Sequence, residues 1–307
     1  MFQITDYLIV TISTNVQNRN TLMAQQYINP FTWSMRRREM FDRCLREYFY
    51  HYYGSAGGAF IGTVTTRAEQ LHLLRGALSV EEYAKSKIYE ALRALWDSGE
   101  NTAENFLPAL KDRFAVEFKA MLLGRPEHDH KLPLLRGLTE QGISLQELEE
   151  KVLKALQSRS ELLHADALKQ LLSIPVSSRI HLPFPLKVNW NDLDCYVTPL
   201  AAWHCESELS FVCVGRVSEE NSALLSLYAL ENFNTAPDKV KIFHLESGTL
   251  QHIPMPRSFS GAFRRIREDA DRMLLLELKL KTAPLPQTLF PQDLKQCAQC
   301  RFRSFCQ

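Results

Sequence analysis

The chain has 307 residues, of which 45% are apolar and 23% charged, the balance of a folded globular protein; collagen, coiled-coil rods and global disorder are excluded. Thirty-six basic residues against 35 acidic ones leave a net charge of +1, so no overall field draws the chain to nucleic acid or anionic membrane, and any such contact must use a local patch. The length suits one large domain with insertions, or two domains sharing a core.

In chain order, the first 30 residues carry a β-branched run at Ile9, Val10 and Ile12 and then polar residues. With Asp6 and no basic residue ahead of that run, Met1–Val16 makes a poor signal peptide. No stretch reaches the ~20 apolar residues needed to span a bilayer. A cytoplasmic protein without membrane association is the expectation. From Ser34, Met40, Phe41, Cys44, Leu45, Tyr48, Phe49 and Tyr52 recur at spacings of three and four, which predicts one continuous helix stopped at Gly54. Ser79 and Glu82 form a capping-box pair opening a second helix to about Trp96. Further helices are predicted near Phe106–Leu123, after Ser144 and Glu147, and near Leu162–Leu172, with a polar loop at Arg125–Lys131.

The texture changes at Pro175. Alternation rich in Val, Phe, Trp and Tyr predicts strands near 180–189, 192–200 and 209–217, then a helix over about 219–232 capped by Ser218. Short strands are predicted near 239–245 and 250–253, then a long helix over about 259–281 and an extended lead through Pro284, Pro286 and Pro291. The order implies an α/β fold with a small mixed sheet. The predicted organisation is an N-terminal segment with helices (1–96), a helical insertion (97–175), an α/β core (176–281) and a cysteine-rich tail (282–307).

Seven cysteines, an odd number, argue against a disulfide framework. Cys297, Cys300 and Cys306 crowd into the tail, where three thiolates can converge on one metal centre and leave it one ligand short; Cys44 is the natural fourth. Zinc and an iron–sulfur cluster both accept four thiolates, and spacing alone does not separate them. Either would staple the two ends of the chain together. Cys195, Cys205 and Cys213 fall on or beside strands, where packing in the core is their expected role.

The residues around Cys44 carry a resemblance. Phe41-Asp-Arg-Cys44-Leu-Arg46-Glu-Tyr48 through Tyr53 resembles the opening helix of the RecB-type nucleases. These belong to the PD-(D/E)XK superfamily, in the branch that holds a 4Fe–4S cluster. That branch places one cysteine before its nuclease core and three after it as C-x2-C-x5-C, the spacing of Cys297, Cys300 and Cys306. The resemblance covers about residues 30–307. It implies a restriction-endonuclease-like core and a 4Fe–4S cluster rather than zinc. It also implies a hydrolytic centre using Mg²⁺ or Mn²⁺.

That centre looks lost. The family's helical histidine aligns with Tyr89, a poor Mg²⁺ ligand. Its first metal-binding aspartate aligns with Asp194, with Asp192 as the alternative; two apart, they would share a strand face. The acidic residue and lysine of its D/E-x-K motif align with Cys213 and Gly215, and a thiol is not a hard oxygen ligand. The glutamine of its Gln-x-x-x-Tyr motif aligns with Leu224, while Tyr228 is kept. The resemblance therefore implies a catalytically inactive relative, serving as a DNA-binding or scaffold subunit of a repair or defence system and engaging a protein partner. An active metal-dependent DNA nuclease and a zinc-stapled interaction module are the alternatives.

Local basic patches are the only footprint available for DNA phosphates. Arg36, Arg43 and Arg46 are expected close to one stripe of the Cys44 helix, with Arg37 and Arg38 further round; Arg264, Arg265 and Arg267 form a second group, and Arg301 and Arg303 lie between tail cysteines. His128-Asp129-His130 lacks a third partner at metal spacing and reads as structural or solvent-exposed. His204 and Cys205 follow Trp203 at an expected hairpin turn.

Overall fold

The computed structural model describes residues 31–54, 67–99, 106–123, 134–136, 143–161, 163, 165–252, 259–282, 297 and 300–306. The N-terminal β-branched run, the polar loop holding His128, Asp129 and His130, and the proline-rich lead lie outside the described residues. The fold is α/β with mixed sheets. Its contacts divide the chain into two units.

The larger unit comprises Thr32–Glu39 and Gly76–Ala270. Its helices start where the sequence supplies caps. In α4 (Val80–Ser98), the Ser79 amide donates to Glu82 at 2.9 Å and Ser79 Oγ accepts the Glu82 amide at 3.1 Å, satisfying two otherwise orphaned donors. Gly99, at φ +74°, supplies the left-handed residue that closes this helix. Three more helices, α5 (Phe106–Leu123), α6 (Leu145–Glu161) and α7 (Ala165–Leu172), bury Phe114, Leu148, Leu156 and Leu171 against α4. Trp203, Val212 and Phe243 of the sheet share that core, so the helices expected as an insertion pack on the strands themselves. Each fully buried side chain of this size contributes about 1.5–3 kcal/mol.

The strands form two main sheets. One has the order β10-β9-β8-β7-β4, from β4 (Arg179–Ile180), β7 (Ala201–Cys205), β8 (Glu208–Cys213), β9 (Val240–His244) and β10 (Thr249–His252). Strands β7 and β8 pair as an antiparallel hairpin, whereas β8 and β9 are parallel and joined through helix α8 (Glu219–Phe233). The other has the order β1-β6-β5, from β1 (Thr32–Ser34), β5 (Leu186–Trp190) and β6 (Leu193–Val197), and two short strands, β2 (Ala77–Leu78) and β3 (Leu134–Leu135), pair in parallel.

Three predicted strands change. The first divides into β4 and β5 because Pro183 and Pro185 lie between them and cannot donate to a ladder. The second stops at Val197, ahead of Pro199, and β7 begins at Ala201. The third ends at Cys213, because Gly215 turns the chain with φ +81°. The expected hairpin turn near Trp203 falls instead at Glu206 (φ +55°) and Ser207.

The smaller unit carries Met40–Arg75 and Asp271–Gln307 together with Phe31. The single predicted helix from Ser34 to Gly54 is three pieces. Helix α1 (Met35–Arg43) ends at Cys44, whose backbone is extended (φ −159°, ψ 111°); α2 (Leu45–Phe49) follows, then a π-turn over Tyr50–Gly54. Helix α3 (Arg67–Gly76) follows. The long helix α9 (Phe259–Thr282) contributes to both units, as does α1, and the chain closes with α10 (Arg303–Cys306). Tyr48 is buried with Met40, Phe41 and Met273, its ring 5.2 Å from that of Phe41. Among the described residues no helix is long and apolar enough to cross a membrane.

Candidate metal centre

The extended backbone at Cys44 gives its side chain a local task. Its Sγ accepts the Glu47 amide at 3.4 Å and caps α2. The tail approaches through consecutive turns: the Cys300 amide donates to the Cys297 carbonyl, and the Arg303 amide to the Cys300 carbonyl, each at 3.2 Å. The Phe302 amide donates to Cys300 Sγ at 3.4 Å. Packing fixes this tail. Phe302 is fully buried, with its ring 5.6 Å from that of Tyr50 and Leu71 in the same cluster. The Tyr50 hydroxyl donates to the Phe305 carbonyl at 3.3 Å, Arg46 to the Cys306 carbonyl at 3.4 Å, and the buried Arg301 to the Arg75 carbonyl at 2.9 Å.

The result is one narrow cavity in the smaller unit, partly open to solvent, walled by Arg43, Cys44, Glu47, Cys297, Cys300, Arg303 and Cys306. The four cysteines singled out in the sequence thus meet on one wall, and all four are free and half-buried. Burial pushes the Cys300 thiol up to about 12; the Phe302 amide partly offsets this, while Glu47, Cys306 and Cys44 add to it. Burial also raises the Cys306 thiol, against the pull of Arg46. A bound metal would have to displace these protons. Among the described residues no three His, Cys, Asp or Glu side chains converge closely enough to hold a single ion.

Glu47 is the wall residue that sequence reasoning missed. It is 5% exposed, and its carboxylate accepts a two-pronged bond from Arg43, Nε to Oε2 at 3.0 Å and the terminal nitrogen to Oε1 at 2.9 Å. The signal available was the i,i+4 spacing of Arg43 and Glu47.

The aligned nuclease positions only partly converge. Tyr89 on α4 donates its hydroxyl to the Thr198 carbonyl at 2.6 Å; burial and then the neighbouring Cys213 raise its pKa, with Arg93 opposing. Cys213 ends β8, and burial pushes its thiol up to about 12. Leu224 is fully buried in α8. Asp194 on β6 binds Lys187 at 2.8 Å and Asn189 at 3.0 Å. Burial would raise its carboxyl, but these two partners hold it below the usual range. Asp192 does not share a strand face with it: with Asn191 it makes the β5–β6 turn, at φ +64° and +45°. Gly215 is likewise off the strand, in an open surface cleft with Arg216 and His244 on its wall.

The predicted arginine stripe is also revised. Arg36 is exposed on α1, Arg43 is bound to Glu47, and Arg46 lies beyond the break at Cys44, on the Cys306 carbonyl. Arg37 is buried and donates to the Thr32 carbonyl; Arg38 pairs with Glu220 and Asp269. Arg265 pairs with Glu219 and Glu220, and Arg267 donates to the Asn191 carbonyl. Cys195 is buried as expected, whereas Cys205 is exposed at the end of β7.

No family model, curated protein or solved structure matches this chain significantly.

Proposed function

We propose that the protein is an iron–sulfur protein with a PD-(D/E)XK-like core whose hydrolytic centre is lost, acting as a scaffold or DNA-binding subunit of a nucleic-acid-processing system. The observation that carries this reading is the meeting of Cys44 with Cys297, Cys300 and Cys306 on one cavity wall. The donor set suits a 4Fe–4S cluster, for which four thiolates are the usual ligands. A single zinc ion needs its thiolates all about 2.3 Å from one point. The cluster would supply a covalent link between distant parts of the chain and a capacity for electron exchange.

The resemblance implies three strands and then a helix over 180–232; the hairpin β7–β8 followed by α8 supports that core, whereas β5 and β6 belong to the other sheet. Support for lost catalysis comes from Cys213. It is a buried thiol with Tyr89 beside it, where Mg²⁺ or Mn²⁺ would need an exposed carboxylate. Asp194 is committed to Lys187 and Asn189. The many arginines with internal acceptors favour a scaffold role over extensive phosphate contact.

The test is incubation of purified protein with single- and double-stranded DNA in Mn²⁺. The reading expects no cleavage, and weak, salt-sensitive DNA retention at most. Cleavage that disappears in Asp194→Ala would overturn it.

A further inference from the structure

The cavity wall holds more than sulfur. A carboxylate beside four thiolate ligands is electrostatically unfavourable, yet Glu47 is buried there. What it does is visible in its bonds: both oxygens are occupied by Arg43, whose side chain is 47% exposed and is thereby fixed on the cavity wall. Arg303, exposed on the tail, reaches the same wall. Arg46 adds a third guanidinium, at the carbonyl of the ligand residue Cys306. Arg43 and Glu47 offset each other as a pair, and Arg303 and Arg46 leave the wall net cationic around a site whose proposed occupant is anionic. Reducing a cluster held by four thiolates makes it more negative, so nearby cations favour the reduced form more than the oxidised one. An opening to solvent gives electrons a route in and out.

We propose that Arg43, clamped by Glu47, and Arg303 form a cationic rim that poises the cluster as a reversible one-electron redox centre. This rests on the iron–sulfur reading above. The oxidised cluster accepts one electron from a low-potential one-electron donor and returns it to an external oxidant; no bond in the chain forms or breaks. Arg43 and Arg303 are positioning residues, and Glu47 acts through Arg43.

The experiment is a redox titration of the anaerobically purified holoprotein with dithionite and mediators, followed by visible bleaching and by the paramagnetic signal of the reduced state. The parent should bleach and recover reversibly. Arg43→Gln and Arg303→Gln should each move the midpoint to a more negative potential, and the pair together further. Arg43→Lys, which keeps the charge, should move it less than Arg43→Gln, and Lys151→Gln on the exposed face of α6 should not move it. If Arg43→Gln leaves Glu47 unpaired and the protein insoluble, Arg43→Lys and the exposed Arg303→Gln carry the test. An iron-loaded parent that cannot be cycled, or soluble rim variants with the parental midpoint, overturns the proposal and leaves the iron–sulfur reading standing. A parent without iron and sulfide overturns both.

Discussion

Cys44 caps the helix that it also interrupts: its Sγ accepts the amide of Glu47 at 3.4 Å while its own backbone is extended. Serine is a good N-cap but a poor ligand for iron. Cys44→Ser should therefore lose the metal while keeping α2. Denaturant titration of loaded protein should show Cys44→Ser several kcal/mol less stable than the parent, since metal binding at such a site is folding free energy. In metal-free protein the two should differ by less than about 1 kcal/mol. Equal stability of the loaded proteins would remove Cys44 from the ligand set.

The apolar periodicity around Cys44 showed which residues face the core, and Met40, Phe41 and Tyr48 are buried together. It did not show the break, because an extended cysteine leaves the three-to-four spacing on either side intact. The i,i+4 spacing offered Arg43 as a partner for Glu47 but did not place Glu47 on the wall: a glutamate on a helix usually faces solvent, and only the shape of the cavity makes it a wall residue. The meeting of the four cysteines on one wall was legible because Cys297, Cys300 and Cys306 cluster in the tail and leave a fourth thiol to be sought elsewhere. Strand β7 was not, since Pro199 hides its start and the turn at Glu206 uses a left-handed non-glycine residue, a choice sequence rarely advertises.

Cys213 ends β8 as a small buried hydrophobe. On the proposed reading, replacing it with the acidic residue of the motif it resembles should not confer hydrolysis. Cys213→Asp places a carboxyl in a site where burial already disfavours charge, and should cost about 2–5 kcal/mol in urea denaturation. A variant as stable as the parent would show the site to be wetter than its burial implies.

Gly215 has open space around a prospective Cβ but a φ of +81°. Gly215→Ala should therefore be destabilising through backbone strain alone, by about 1–2 kcal/mol. Neutral stability would mean that the loop relaxes out of the left-handed region.

Glu220 is buried between Arg265 and Arg38. Burial alone would raise its carboxyl, but the bond from Arg265, its own amide and the charge of Arg265 bring it below the ordinary range on balance. A depressed folded-state pKa gives stability that is present above the unfolded value, about 4.3, and is lost as the pH falls through the folded value. Glu220→Gln should be less stable than the parent at pH 7, and the gap should close in acid below pH ~4. A gap independent of pH would assign the loss to packing.

The most direct measurement is the iron, acid-labile sulfide and zinc content of protein purified without oxygen, in the parent and in Cys44→Ser, Cys297→Ser, Cys300→Ser and Cys306→Ser. The account predicts brown parental protein with about four iron and four sulfide per chain, and loss of both in each variant. Stoichiometric zinc without sulfide, or full iron retained in any of the four variants, would contradict it.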